Sequence, residues 1–138
     1  MKKRLFHRRR ESGQSAVELA LTLPLLLFLI CGMLELGWLA SNRLVLENIT
    51  REGVRAGIIA TSAASNTSDV IARIDAMKPD YMTGDLNVTV TYSNTSDFRA
   101  GDITVVTTYD LPTITPLAGM LTDDGAFHLR AECTMKMS

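Results

Sequence analysis

Leu19-Ala20-Leu21-Thr22-Leu23-Pro24-Leu25-Leu26-Leu27-Phe28-Leu29-Ile30-Cys31-Gly32-Met33-Leu34-Glu35-Leu36-Gly37-Trp38-Leu39-Ala40 is the stretch that decides how this chain is organised. Seventeen of its 22 residues are apolar, and ten of the chain's eighteen leucines lie in it. At 1.5 Å per residue it forms a helix of about 33 Å, enough to cross a hydrocarbon core of about 30 Å. Apolar residues occur on every face, so no polar stripe remains to meet water, as a helix on the surface of a soluble domain would require. The sequence therefore predicts a transmembrane helix.

The charge layout orients that helix. The whole 138-residue chain has a net charge of −1, but residues 1–13 hold six basic residues and one acid, a net of +5. The remainder carries −6. Lys and Arg flanking a span are retained on the cytoplasmic side, which puts the N-terminus inside and the following domain outside. The acidic remainder excludes a uniformly basic nucleic-acid binder, and no nucleic-acid partner is expected. A cleaved secretory signal would have a shorter apolar region and a small-x-small site. Here Trp38 stands two residues before the candidate Ala40, and the run is too long. Glu35, close to the outer end and to Trp38, is read as an interfacial carboxylate. Glu18, at the other end, is read as a first-turn carboxylate that complements the helix dipole.

One constellation is more specific than its parts. A basic leader ends in Gly13, Gln14-Ser15-Ala16-Val17-Glu18 follows, and the leucine-rich span begins at once. This resembles the type IV pilin-like (class III) signal, in which a membrane aspartyl prepilin peptidase cuts after the glycine and a glutamate stands fifth in the mature chain. Arg51-Glu52-Gly53-Val54-Arg55-Ala56-Gly57 is similar to a stretch of the TadE-like pseudopilins of tight-adherence (Tad, Flp) pilus systems. The resemblance covers about residues 8–60. It implies a cut between Gly13 and Gln14, an assembly role for Glu18, and partners that include the prepilin peptidase, other pilins or pseudopilins and an inner-membrane assembly platform. Major pilins of these systems usually have tyrosine after the glutamate and are very short. Leu19 stands there in this chain and 125 residues follow Gly13, so the resemblance implies a minor pseudopilin rather than the bulk filament subunit. It also implies a bacterial inner-membrane protein with a periplasmic domain, incorporated in or at the tip of a pilus.

Within the span, Pro24 removes one backbone hydrogen bond and kinks or loosens the helix. Leu25, Leu26, Phe28 and Leu29 are the expected bundle contact. Gly32 adds a small surface, and Gly53-x-x-x-Gly57 repeats a small-residue spacing together with Ala60 and Ala64. That spacing suits a partner helix or the chain's own sheet equally well. Membrane lipid is a further expected partner.

Beyond Ser41 the helical pattern continues to about residue 63 through Leu44, Leu46, Ile49, Val54, Ile58 and Ile59. Ser68 is an N-cap candidate for a short helix from about Asp69 to Met77, ended by Pro79. The period then changes to two. Leu86, Val88, Val90 and Tyr92 alternate with polar residues, a second run covers Ile103 to Leu111, and a third covers about Ala126 to Met137. Pro112, Pro116 and the Asp123-Asp124-Gly125 turn signal bound the connection between the last two. The expected fold is α+β: a long N-terminal transmembrane helix, then a small domain with a short helix and a three-stranded (or four-stranded) antiparallel sheet. Residues 1–13 form the leader, 14–40 the membrane and assembly helix, 41–63 its continuation and 64–138 the exported domain.

The motif search offers no material for catalysis. The chain has no Gly-rich phosphate loop and no paired-cysteine metal spacing, and its two histidines are His7 in the leader and His128 in a strand. Asp97, Asp102, Asp123 and Asp124 lack the ligand spacing of a calcium loop and are read as solvated turn acids. Cys31 and Cys133 lie in the span and near the C-terminus, too differently placed to bridge within one chain. Cys133 is read as a buried thiol, with pairing between chains left open. Four Asn-x-Ser/Thr triplets begin at Asn48, Asn66, Asn87 and Asn94, and in a chain this rich in Ser, Thr and Asn they arise by chance. No cofactor, metal or enzymatic activity is expected. The competing reading is an uncleaved, single-pass membrane-anchored periplasmic binding or sensor module.

Overall fold

The computed structural model describes the backbone of residues 7–59, 63–94, 96–97 and 100–137, with side chains described from residue 13 onward in the first helix and from residue 67 onward in the second. The elements in chain order are α1 (His7–Ile59), α2 (Ala63–Met77), β1 (Asn87–Tyr92), β2 (Asp102–Pro112), α3 (Pro116–Gly119) and β3 (Ala126–Lys136). The architecture is the α+β arrangement expected, with a three-stranded sheet.

α1 has 53 residues, which corresponds to about 80 Å of helix. It runs without interruption across Pro24. It also begins at His7, earlier than the span, so Glu18 stands about three turns inside it rather than in its first turn. The reason is local: Arg8, Arg9, Arg10 and Glu11 are good helix formers, and Gly13 alone does not stop a helix. α2 likewise begins at Ala63, before the expected start at Asp69, so Ser68 is interior to the helix rather than its cap. The Ala60 part of the small-residue face lies outside the described residues.

The sheet order is β1-β2-β3, all antiparallel. Strict alternation along central β2 turns Ile103, Val105, Thr107, Tyr109 and Leu111 inward. The register sets them opposite Met135, Cys133, Ala131, Leu129 and Phe127 of β3. The outer face is polar: Thr104 pairs with Thr134 through hydroxyls 2.8 Å apart, and Arg130 lies 3.0 Å from Glu132. Cys133 is half-buried on the inner face, and Cys31 is half-buried on α1.

A single stripe of α1 faces this sheet and α2. Glu35, Asn42, Leu46, Ile49, Thr50, Gly53, Val54 and Gly57 are buried, recurring at the three-, four- and seven-residue steps that keep one helical face in register. Two polar members bond to their own helix: Asn42 Nδ2 donates to the Trp38 carbonyl at 2.8 Å and Thr50 Oγ1 to that of Leu46 at 2.6 Å. Leu46, Ile49 and Val54 then close a core with Val70 and Ile74 of α2, Met82, and the inward residues of β2 and β3.

β2 runs antiparallel to α1. Ile103 at its start packs at Gly57, and Ile114 just past its end bonds to Glu35. The 22 helical residues between Glu35 and Gly57 span about 33 Å, and the eleven extended residues from Ile103 to Ile114 span about 36 Å. The two lengths match, so the ladder lies along the helix from end to end. The part of α1 beyond Ala40 is only about 28 Å long, so the far tip of the ladder overshoots it and lies beside the apolar stretch.

Candidate functional site

The first half of α1 presents a continuous apolar surface. Leu19, Leu21, Leu23, Leu25, Leu26, Leu27, Phe28, Leu29, Ile30, Met33, Leu34 and Leu36 are all exposed. It is the one helix among the described residues long and apolar enough to cross a membrane, and none of its most apolar window is covered by the rest of the chain. The bundle-contact residues Leu25, Leu26, Phe28 and Leu29 are each more than half exposed. Gly32 and Gly37 have open space where a Cβ would stand.

At the N-terminal end, Gly13 and Gln14 are exposed and helical, and nothing lies within 4 Å of a Cβ built on Gly13. Glycine weakens a helix interior by about 0.5–1 kcal/mol relative to alanine, which favours local opening there. The Glu18 side chain is exposed and has no hydrogen-bond or ion-pair partner among the described residues. Its backbone carbonyl accepts from Thr22 Oγ1, one turn on.

The second pair of glycines is placed differently. A Cβ on Gly53 would come within 2.7 Å of Ile74 Cγ1 and Cδ1, and one on Gly57 within 2.7 Å of Ile103 Cδ1 and 2.8 Å of Val70 Cγ2. Both glycines are therefore contacts of α1 with α2 and β2 of the same chain, and the choice left open by their spacing falls on the chain's own domain.

Glu35 is the residue that sequence reasoning undervalued. It is 6% exposed, not interfacial. Its Oε1 accepts from the Ile114 backbone N–H at 3.2 Å, and its Oε2 accepts from the Thr115 N–H at 3.0 Å and the Thr115 hydroxyl at 2.9 Å. Three donors offset the cost of removing a carboxylate from water. Thr115 Oγ1 also accepts from the Ala118 N–H at 3.3 Å, so the same residue caps α3, with Pro116 at its first turn. One carboxylate thus ties the β2–β3 connection to the apolar half of α1. Its donors lie 79 and 80 residues downstream, so the only signal in the sequence was a charge within an apolar run, seven residues before Asn42 on the same face.

Beside this clamp, a cleft of about 270 Å³ runs between α1 and α3, walled by Phe28, Gly32, Leu36, Leu117, Leu121 and Phe127. On the other flank Trp38 stacks obliquely with Tyr81, ring centroids 5.5 Å apart at 51°. Behind the loop, His128 Nδ1 lies 2.6 Å from Asp110 Oδ1 and Nε2 lies 3.2 Å from Asp124 Oδ2. The hydrogen bond to Asp110, then the charges of Asp124 and Asp110, raise the imidazole pKa above its ordinary 6.5. No group of three or more His, Cys, Asp or Glu among the described residues is gathered so as to hold a metal ion.

Comparison with known proteins agrees with the resemblance. Residues 13–55 match the family model described as TadE-like protein. The matched segment contains Gly13, Glu18, the apolar helix, Glu35 and Gly53. No curated protein and no solved structure matches the chain.

Proposed function

We propose that this chain is a minor pseudopilin of a tight-adherence pilus system, cut after Gly13 by a prepilin peptidase and assembled through the first half of α1. The observation that carries the reading is an apolar helical surface left uncovered from Val17 to Leu36, entered through Gly13-Gln14 and the exposed Glu18, within a segment that matches the TadE-like model. Before cleavage the helix spans the inner membrane, with its basic leader in the cytoplasm and the α+β domain in the periplasm. Cleavage removes the +5 leader that holds the chain in that orientation. Gln14 becomes the new N-terminus, and Glu18 comes to stand in the first turn of the shortened helix.

The carboxylate of Glu18 then accepts the N-terminal amine of a neighbouring subunit's helix. In an apolar bundle such a pair acts chiefly as register control, because desolvation cancels much of the Coulomb attraction. Leu25, Leu26, Phe28 and Leu29 pack against neighbouring helices. The chain carries out no reaction.

N-terminal sequencing of the protein from cells that contain the peptidase tests the cut. Gln14 is the expected first residue, whereas an intact leader favours the permanently anchored module. Glu18→Ala is expected to be cleaved normally and lost from assembled pili. Its incorporation at wild-type level would refute the role given to Glu18.

A further inference from the structure

The β2–β3 connection has a composition unlike the rest of the domain. Thr113-Ile114-Thr115-Pro116-Leu117-Ala118-Gly119-Met120-Leu121-Thr122 contains no charged residue, and it is bounded by Asp110 on one side and Asp123-Asp124 on the other. A loop between strands of a water-soluble domain normally presents polar residues. This one presents Met120 at 85% exposure, Leu121 at 83% and Ile114 at 56%. The single-turn α3 buries only Ala118.

Its position gives the apolar tip a setting. α3 faces Phe28, Gly32 and Leu36 across the cleft, and Glu35 holds the loop there by three hydrogen bonds. Tyr81, about half exposed and stacked on Trp38, provides a depth mark at the level of Trp38, since tyrosine settles at the level of lipid headgroups. Leu36, Gly32 and Phe28 precede Trp38 by two, six and ten residues, which is about 3, 9 and 15 Å further along the helix. Half of a hydrocarbon core is about 15 Å. The loop therefore lies at the depth of the acyl chains on the domain's side of the bilayer, and its apolar surface continues that of the helix. The flanking Asp110, Asp123 and Asp124 are exposed, and Asp123, Asp124 and His128 border Leu121 and Thr122 at one edge of the tip.

We propose that the α3 loop is a second membrane element, with Ile114, Leu117, Met120 and Leu121 immersed in the acyl region of the adjacent leaflet and Glu35 as the internal latch that sets its depth. Its partner is lipid. The loop holds the domain against the membrane at a fixed height and rotation, which a lone helix cannot do. The proposal rests on the reading of α1 as a membrane helix and is independent of cleavage at Gly13.

Single cysteines carrying a nitroxide label test it in a background with Cys31→Ser and Cys133→Ser. They are placed at Met120, at Leu27 as the helix control and at Thr89 on the exposed sheet face. The full chain is reconstituted in vesicles of phosphatidylethanolamine and phosphatidylglycerol, and Trp38 emission reports an unchanged fold. The label at 120 is expected to relax with oxygen, which partitions into the acyl region, and to be shielded at least tenfold, relative to 89, from a water-soluble nickel chelate. Label 120 matching 89 while 27 reports lipid would overturn the loop proposal and leave the anchor standing. Label 27 matching 89 would overturn both. Shielding at 120 that disappears as the protein is diluted in lipid would assign the loop to another protein copy and refute lipid as its partner.

Discussion

Gly32 and Gly37 in the first half of α1 have nothing within 4 Å of an added Cβ, whereas Gly53 and Gly57 in the second half are pressed against Ile74, Val70 and Ile103. The helix is one continuous element, yet its two halves are finished differently. From Gly53 backward to Asn42 its inner stripe is filled by the chain's own α2 and sheet. From Leu36 backward to Val17 its surface is left to whatever surrounds the molecule. Glycine spacing announces that close approach is possible and does not say what approaches. Glu35 marks the boundary between the halves, where a buried carboxylate rather than an apolar side chain holds the β2–β3 connection to the helix.

Substitution across that boundary should separate the halves most sharply. Leu46→Ala removes a fully buried side chain, and a loss of about 2–5 kcal/mol is expected in denaturant unfolding of the domain in micelles. Leu27→Ala, at a 52% exposed site, should leave that transition unmoved. An equal effect of the two would dissolve the distinction.

At the boundary itself, Glu35→Ala strips the acceptor from two backbone N–H groups and a hydroxyl, with an expected cost of about 1–3 kcal/mol. Amide hydrogen exchange at Ile114 and Thr115 should accelerate while exchange in central β2 stays slow. Unchanged exchange at 114 and 115 would remove Glu35 from its role as latch.

The glycines offer a comparison of sign. Gly57→Ala overpacks against Ile103 and Val70, at about 1–3 kcal/mol, of which helix propensity returns about 0.5–1. Gly32→Ala meets open space and keeps only the gain. Opposite shifts in thermal midpoint are the expected result, and shifts of the same sign would show that both glycines are packed alike.

The smallest effect is expected behind the loop, at His128. Its folded pKa is raised by Asp110 and Asp124, so the stabilisation from these contacts is complete below the unfolded value near 6.5 and fades as pH rises through the folded value. Both partners are exposed, so the change in stability is slight. An NMR titration of the imidazole should show the raised pKa, and Asp110→Asn should bring it back toward 6.5. A midpoint that stays put in that variant would mean that the contact with Asp110 is absent in solution.

Much of this organisation was legible along the chain. The alternation in β1, β2 and β3 placed the strands to within a residue or two, because a half-buried strand must expose every second side chain. α1 was legible through the span and past it. Its start and that of α2 were not, because Arg8–Glu11 and Ala63–Thr67 are compatible with both helix and loop. The proposed cut at Gly13 and the role proposed for Glu18 rest on a local pattern that the sequence alone displays. Glu35 as latch was not, since its partners Ile114 and Thr115 come from the other end of the chain and the hydrogen bonds use their backbone, which any residue would supply.

Composition alone determined that an apolar run of membrane length follows a basic N-terminal segment, since the free energy of placing leucine or arginine in an apolar medium depends on the residue and hardly on its neighbours. What tertiary structure decided was which parts of the helix the chain keeps for itself. That depended on the β2–β3 ladder being longer than the helix beyond the span, so that its apolar tip passes Trp38 and reaches Phe28. Such a match of lengths in three dimensions is written in no single stretch of residues, because it arises only when an extended ladder and a helix of different rise per residue lie side by side.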